Sequence, residues 1–251
     1  MKFFDINLYI GTPVKPLFKP VTSAKDLTKM LNNLGIEKAL VWHLTQYYYF
    51  PSEGNNILSK EIKGYKNLYG SFVILPPHTK EMDLGPKFFK SMKENNIKAI
   101  RVFPTRNHYE LNKVVFGKFF DEISERRIPV LISMARENHN WSMIYGIMKD
   151  FPKLTCILCD MGSWDHTRMY LPLMETYENF YVETSLVCLH EGTLELIVKT
   201  YGPERILFGS GFPEIYFESS MLQIIHADIP ESFKKKIAYE NAVRLISRAE
   251  V

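Results

Sequence analysis

The sequence predicts an α/β protein folded as a single (β/α)8 TIM barrel, and three observations lead to this expectation. Eight short apolar runs rich in Val, Ile, Phe and Tyr recur along the chain. Amphipathic stretches of helical periodicity separate these runs, with short links between them, as in repeated strand–helix units. The length of 251 residues suits one barrel of this kind. We therefore expect residues 1–251 to form one domain.

The predicted strands are the eight apolar runs. Most are apolar at successive positions, which is typical of parallel strands that are covered on both faces. In chain order they are residues 3–8, 39–44, 68–75, 97–103, 128–134, 154–161, 180–185 and 205–209.

The predicted helices lie between the strands, and the first one has readable ends. Ser23 and Asp26 form a capping-box pattern at its start, and Gly35 is placed to terminate it. Residues 117–127, 141–151, 171–180 and 191–202 repeat the plan. The stretch after the first strand, GTPVKPLFKP, has no G-x-G-x-x-G. This absence disfavours an open doubly wound nucleotide-binding sheet.

Composition and charge exclude several classes of function. The formal charge is +3, and the basic residues are scattered, so we expect no nucleic-acid partner. No apolar run is long enough to span a membrane, so we expect no membrane partner. Cys156, Cys159 and Cys188 are odd in number and lie in apolar segments. Reduced, buried thiols in a cytoplasmic protein fit this pattern better than a disulfide framework.

Polar residues at the ends of the predicted strands indicate where a site would form. Active sites of such barrels lie at the carboxyl ends of the strands. Apolar strands that end in polar groups around one mouth would form a pocket. The strand-end residues and their near neighbours are Asn7, Tyr9, His43, Arg101, Ser133, Arg136, Asp160, Glu183 and Glu214.

Seven segments, in order, resemble the amidohydrolase-related family of barrels. The branch is the one that also holds aminocarboxymuconate-semialdehyde decarboxylases and pyrone-dicarboxylate lactonases. FDINLYIG stands where that family has F-D-x-H-x-H-x-G, and AIRVFPTRNHYELN where it has G-x-R-(apolar)-x-P followed by Tyr and Leu. IPVLISMA, ILCDMGSW, YVETS, ILFGSGFP and YENAVRLI match five later motifs, so the resemblance covers essentially the whole chain.

The resemblance implies a metal site whose ligands are replaced in this chain. In the family, four histidines and one aspartate hold a zinc-like ion and activate its water. Those five positions are Asn7, Tyr9, Ser133, Asp160 and Gly211 here. Zinc requires about three nitrogen, sulfur or carboxylate ligands, and only Asp160 is an ordinary one. We therefore predict no metal cofactor, and Gly211 also lacks the carboxylate that takes a proton from water in the family.

Proton transfer would then fall to other groups near the mouth. Asp160, His43 and His166 are the candidate catalytic residues, since His and carboxylates are the usual general bases. A triad of Ser133, a histidine and an aspartate stays open, because triads are recognised by geometry and not by sequence order.

Substrate binding is predicted from charge and shape. Arg101 and Arg136 could each offer a bidentate fork to a carboxylate, whereas Trp164 and Tyr9 could supply walls for a flat molecule. The alternative for Arg101 is a structural pair with Glu183 or Asp160. We expect a small carboxylated molecule as the ligand.

The sequence leaves three functions open. The chain could be a hydrolase-like enzyme that works without metal, or a barrel that binds a small molecule without converting it. It could also be a degenerate barrel kept as a partner subunit. The family resemblance further implies a homodimer, since dimers are common in it.

Overall fold

The computed structural model, which describes residues 1–161, 166–185 and 192–251, shows eight parallel strands, each paired with the next along the chain. Hydrogen bonds also join the last strand region to the first, from Ile6 N to Phe208 O (3.0 Å) and from Gly211 N to Asn7 O (2.9 Å). The sheet therefore closes on itself, and the predicted barrel is confirmed. The strands are β1 (Phe3–Ile10), β2 (Ile36–His43), β3 (Leu68–Val73), β4 (Ile97–Val102), β5 (Val130–Ser133), β6 (Cys156–Cys159), β7 (Phe180–Glu183) and β8 (Ile206–Leu207).

Helices lie between the strands, so that each strand–helix unit returns the chain to the same end of the barrel. The described α-helices are α1 (Ala24–Leu34), α2 (Thr45–Tyr48), α3 (Pro51–Glu61), α4 (Pro86–Glu94), α5 (Pro104–Asn107), α6 (Lys113–Glu125), α7 (Trp141–Asp150), α8 (Thr167–Thr176), α9 (Thr193–Tyr201), α10 (Phe217–His226), α11 (Glu231–Lys235) and α12 (Asn241–Arg248). A 3-10 turn covers Pro77–Thr79, and a π-helical segment covers Lys236–Glu240. None of the described helices has the length and apolar character needed to cross a membrane.

The ends of α1 agree with the sequence. The Ser23 hydroxyl accepts a hydrogen bond from the Asp26 amide (3.2 Å), and Gly35 takes a left-handed conformation with a φ of 71°. The predicted last strand, residues 205–209, is longer than β8. The difference arises at Phe208, whose amide donates to Ile237 and whose carbonyl accepts from Ile6. Phe208 therefore does not continue the pairing with β7, and its carbonyl helps to close the barrel onto β1.

The core has two layers, and their arrangement leaves only one end of the barrel for a site. The inner layer fills the barrel with residues such as Phe4, Leu131 and Ile157, and α12 packs Leu245 and Ile246 against it. The outer layer lies between the strands and the helices. Since α12 covers the amino ends of the strands, the opposite, carboxyl end is the mouth.

Cys156 and Cys159 lie on opposite faces of β6, as the alternation of strand side chains requires. Cys156 belongs to the outer layer and Cys159 to the inner layer. Both are fully buried free thiols, and Cys188 lies outside the described residues. Burial raises the pKa of the Cys156 thiol to about 12. Neither thiol therefore has the character of a reactive cysteine.

Candidate functional site

Polar side chains from four strands, and one from the residue after a fifth strand, meet at the carboxyl end of the barrel and form one connected cluster. Asn7 lies on β1, Arg101 on β4, Ser133 on β5 and Glu183 on β7, while Asp160 directly follows β6. All except Asp160 are buried, and Asp160 is partly exposed. The strand-end positions that the sequence indicated are therefore brought together.

Asn7 is the centre of this cluster. Its Nδ2 donates to Asp160 Oδ1 (2.6 Å) and lies within hydrogen-bond distance of Ser185 Oγ (3.2 Å) and Glu183 Oε1 (3.3 Å). Its Oδ1 accepts from Arg101 Nη2 at 2.9 Å. A guanidinium can only donate and an ionised carboxylate can only accept, so the neighbours fix the orientation of the amide. Asn7 thus connects the buried cation to the acidic side of the cluster.

Asp160 has most of its acceptor capacity occupied by protein donors. Besides Asn7, it accepts from the Ser133 hydroxyl (2.5 Å) and from the Ser185 hydroxyl (3.1 Å). Its backbone has a positive φ of 50°, and its amide donates to Glu183 Oε1 at 2.7 Å. Asp is one of the residue types that tolerate this left-handed conformation. The backbone bond to Glu183 therefore helps to fix the position of the Asp160 side chain.

Glu183 is a fully buried carboxyl group below Asp160. Its Oε2 accepts from the Ser185 amide (2.6 Å), and the Ser185 hydroxyl makes a short hydrogen bond with its Oε1. Burial, followed by the charge of Asp160, raises the pKa of Glu183 to about 8. The group therefore holds its proton at neutral pH.

Gly209 makes room for Glu183, and it is a residue that the sequence analysis missed. A Cβ at Gly209 would lie 2.0 Å from Glu183 Oε2. Only a glycine lets the backbone just after β8 approach the carboxyl group this closely. In the sequence, the signal for this packing role was the FGSG pattern at the end of the predicted last strand, whose first glycine is Gly209.

Asp5 is a second residue that the sequence analysis missed. Its Oδ1 accepts from the amides of Asn7 (2.9 Å) and Ser210 (3.1 Å), so it joins β1 to the segment after β8 beneath the site. Burial raises the pKa of Asp5 to about 6.

Arg101 is a buried cation with unused donors. Its side chain is 1% exposed, and its Nε and Nη1 have no hydrogen-bond partner among the described residues. The guanidinium lies 5.3 Å from the centroid of the Trp42 ring. Burial lowers the pKa of Arg101, although the guanidinium remains charged at any ordinary pH. The expected alternative of a pair with Glu183 or Asp160 is wrong, because the side chain donates to the amide oxygen of Asn7 instead.

Arg136 lies at the mouth and is already paired. Its Nη2 lies 2.8 Å from Glu214 Oε1, and the Tyr9 hydroxyl donates to the same oxygen at 3.0 Å. Burial acts to lower the pKa of Arg136, but the charges of Glu214 and Asp160 outweigh it and raise the pKa. For Tyr9, burial and the charge of Glu214 raise the pKa.

An aromatic wall of mostly buried rings lies beside the two arginines, and Tyr47 is its partly exposed member. Trp42 packs against Tyr9 (5.0 Å between ring centroids) and Phe103 (5.3 Å), and Tyr47 packs against Phe103 (4.8 Å). Arg136 stacks over Trp42 and Tyr47. The sequence analysis missed Trp42 and Tyr47, since Trp42 lies within an apolar strand pattern that is equally typical of core residues.

The two candidate histidines do not join the cluster. His43 Nδ1 accepts from the Thr45 amide (3.1 Å), and His166 Nδ1 accepts from Trp141 Nε1 (3.1 Å). Burial lowers the pKa of each. Ser133 donates directly to Asp160, so the described residues do not form the serine–histidine–aspartate triad that the sequence left open. Trp164 lies outside the described residues.

The residues at the family's ligand positions do not fit a divalent cation. Asn7 turns its only oxygen toward Arg101, the hydroxyl of Tyr9 donates to Glu214, and Gly211 has no side chain. Ser133 donates to Asp160, which leaves one carboxylate in the set. Across the described ranges, no three His, Cys, Asp or Glu side chains are grouped so that they could hold a metal ion.

Comparisons with known proteins agree with this fold. A sequence model of the amidohydrolase family matches residues 88–248, which is more than half of the chain. No curated protein matches the chain by sequence. The structure is similar to 2,6-dihydroxybenzoate decarboxylase from Rhizobium, with a TM-score of 0.74, 16% identity and 98% of each chain covered.

Two further decarboxylases show the same likeness. One is the dihydroxybenzoic acid decarboxylase from Polaromonas sp. JS666, solved with bound manganese and 2-nitroresorcinol, with a TM-score of 0.73, 14% identity and coverage of 98% of this chain and 96% of that one. The other is 5-carboxyvanillate decarboxylase from Sphingomonas paucimobilis, with a TM-score of 0.70, 13% identity and coverage of 98% of this chain and 99% of that one.

Proposed function

Because the chain belongs to the amidohydrolase family, we propose that its barrel mouth binds a small carboxylated organic molecule, and that it does so without a metal ion. The observation that carries this proposal is the state of Arg101. Its guanidinium is buried, and two of its nitrogens have no partner among the described residues. A ligand carboxylate would supply an acceptor to one of these nitrogens.

A buried charge without full hydrogen bonding costs free energy. An orphaned buried donor costs about 1–3 kcal/mol, and more when the group is charged. A carboxylate can accept two parallel hydrogen bonds from one guanidinium, and here one of the unused nitrogens would form that pair with the second N–H of Nη2, whose first N–H donates to Asn7. The same contact would place the rest of the ligand beside Trp42, whose ring lies 5.3 Å from the guanidinium.

The aromatic wall favours a ligand with a flat body. Tyr47 is the partly exposed ring of this wall and offers a surface for stacking, while the buried rings of Tyr9, Trp42 and Phe103 support it from behind. Two of the similar decarboxylases are named for aromatic carboxylates, dihydroxybenzoate and carboxyvanillate. We therefore take an aromatic carboxylate such as benzoate as the first probe.

If the bound molecule is converted, Asp160 is our first choice for the group that moves a proton. It is the carboxylate of the cluster that reaches partial exposure, and it lies beside the hydroxyls of Ser133 and Ser185. His43 and His166 are second choices, because each has its Nδ1 engaged away from this cluster.

A specific observation favours the alternative, a barrel that binds its ligand or a partner subunit without catalysis. Asp160 accepts three side-chain hydrogen bonds, so its oxygens are largely occupied before a substrate arrives. Gly211 offers no side chain that could replace it. A substrate would have to displace one of these donors before Asp160 could accept a proton.

The test is calorimetric titration of benzoate and of its neutral isostere benzamide into the wild-type protein and Arg101→Ala. We expect benzoate alone to bind, and Arg101→Ala to weaken it about ten- to a hundredfold, as loss of a charge-assisted hydrogen-bonded contact predicts. Arg248→Ala is the control, because Arg248 is exposed in the helix that covers the opposite end of the barrel. Thermal melts of the same variants complete the test: a much lower melting temperature with unchanged benzoate affinity would mean that Arg101 is only structural.

A further inference from the structure

We infer that Glu214 sets the charge selectivity of the mouth, so that the site accepts a molecule with one carboxylate and disfavours one with two. This inference rests on the proposed carboxylate-binding function and deepens it. It concerns the second arginine at the mouth, Arg136, which the structure shows already paired within the chain.

The two arginines differ in what they have left to offer. Arg101 retains two nitrogens without a partner among the described residues. The carboxylate of Glu214 faces Arg136 at 2.8 Å, and the same oxygen accepts from the Tyr9 hydroxyl at 3.0 Å. Glu214 therefore occupies the position that a second ligand carboxylate would take.

The loop after β8 holds Glu214 in this position. Gly211 has a φ of 70°, and its carbonyl accepts from the amides of Glu214 (3.2 Å) and Ile215 (3.3 Å). This tight turn directs Glu214 back across the mouth toward β1 and β5. The Arg136 side chain is 14% exposed and Glu214 is 49% exposed, so the pair lies at the entrance and is partly shielded from water.

Among the ionised side chains at the mouth itself, positive and negative charges are equal in number without a ligand, and Asp5 beneath the site adds a further negative charge. Arg101 and Arg136 carry two positive charges, and Asp160 and Glu214 carry two negative ones. Glu183 holds its proton at neutral pH, since its pKa is about 8. One ligand carboxylate has the unused donors of Arg101, but a second would face Glu214 directly, and close like charges repel.

The experiment compares benzoate with isophthalate, which is the same ring with a second carboxylate, in the wild-type protein and in Glu214→Gln. Glutamine has nearly the same shape and removes the charge, and its amide oxygen can still accept from the Tyr9 hydroxyl. We expect the wild-type protein to bind isophthalate no more tightly than benzoate. In Glu214→Gln, isophthalate should gain about fivefold over benzoate, the upper end for an ion pair with one partner half exposed.

Glu218→Gln is the matched control. Glu218 is exposed, lies four positions further along the same segment and carries the same charge, so its removal tests the effect of net charge alone. It should leave the ratio of isophthalate to benzoate affinity unchanged. The inference is overturned if the ratio of isophthalate to benzoate affinity rises equally in both glutamine variants. It is also overturned if Glu214→Gln changes the affinities for the two ligands by the same factor.

A second readout needs no carboxylate ligand. Phenylglyoxal modifies accessible guanidinium groups, and peptide mass spectrometry reports the rate at Arg136 alone. We expect this rate to rise about fivefold in Glu214→Ala, which removes the oxygen that occupies Arg136. An unchanged rate overturns the inference even when benzoate binds. If Arg136 becomes more reactive but neither ligand binds either protein, the proposed function fails and the selectivity inference fails with it.

Discussion

Glu183 should make the stability of the fold depend on pH, and Glu183→Gln should remove that dependence. The carboxyl group is fully buried beside Asp160, which explains the rise of its pKa from 4.5 to about 8. A raised carboxyl pKa means that the folded state binds a proton more tightly than the unfolded chain does. The associated stability is present below the unfolded pKa and is lost as the pH rises through the folded value.

The magnitude follows from the proton that unfolding releases. Between the two pKa values, the free energy of unfolding should fall by about 1.4 kcal/mol per pH unit. Asp5 adds to this at the acid end, because burial raises its pKa to about 6. Burial lowers the pKa of His43 and of His166, which opposes this slope below about pH 7, so the window from pH 7 to pH 8 reports mainly on Glu183.

Urea titrations at half-unit pH steps across this window measure the slope directly. Glu183→Gln should also cost about 1–3 kcal/mol at every pH, because a glutamine NH2 group would face the Ser185 amide in place of an acceptor. That constant loss leaves the slope as the diagnostic quantity. Glu218→Gln should keep the wild-type slope, since Glu218 is exposed. A Glu183→Gln protein with the wild-type slope would refute the reasoning.

Two further predictions concern packing. Gly209→Ala should destabilise the protein by roughly 2–4 kcal/mol, because its Cβ would meet Glu183 Oε2 at 2.0 Å. Gly146→Ala in α7 has no atom within 4 Å of the new Cβ and should stabilise by about 0.5–1 kcal/mol, so paired thermal melts should move in opposite directions. Cys156 and Cys159 are both fully buried and should resist a disulfide reagent at pH 8 until the protein unfolds. Mapping of the labelled peptides measures this, and rapid labelling of either thiol in the native protein would contradict the packing.

The sequence was sufficient for the barrel and for the places where its polar side chains lie. The apolar runs fixed the number and order of the strands, because parallel strands covered on both faces have few other sequence patterns. A strand end then predicts a position at the mouth. Arg101, Ser133 and Glu183 all lie there, at the ends of β4, β5 and β7.

The partners of these side chains could not be predicted in the same way. Arg101 was expected to meet a carboxylate, but it meets the amide of Asn7, which comes from a strand 94 positions earlier. The pair of Arg136 and Glu214 depends on how the loop after β8 turns at Gly211, and no spacing rule specifies that turn. Trp42 was missed for a similar reason, since an apolar strand pattern does not show which large side chain faces the mouth.

Metal analysis of the purified protein, combined with benzoate titration before and after dialysis against a chelator, distinguishes metal-free carboxylate binding from a metal-dependent site. We predict well under one equivalent of transition metal per chain. We also predict the same benzoate affinity in both samples, because the carboxylate is held by Arg101 and the residues at the family's ligand positions offer one carboxylate. Stoichiometric zinc or manganese, with benzoate binding that disappears on chelation and returns with the metal, would contradict both predictions.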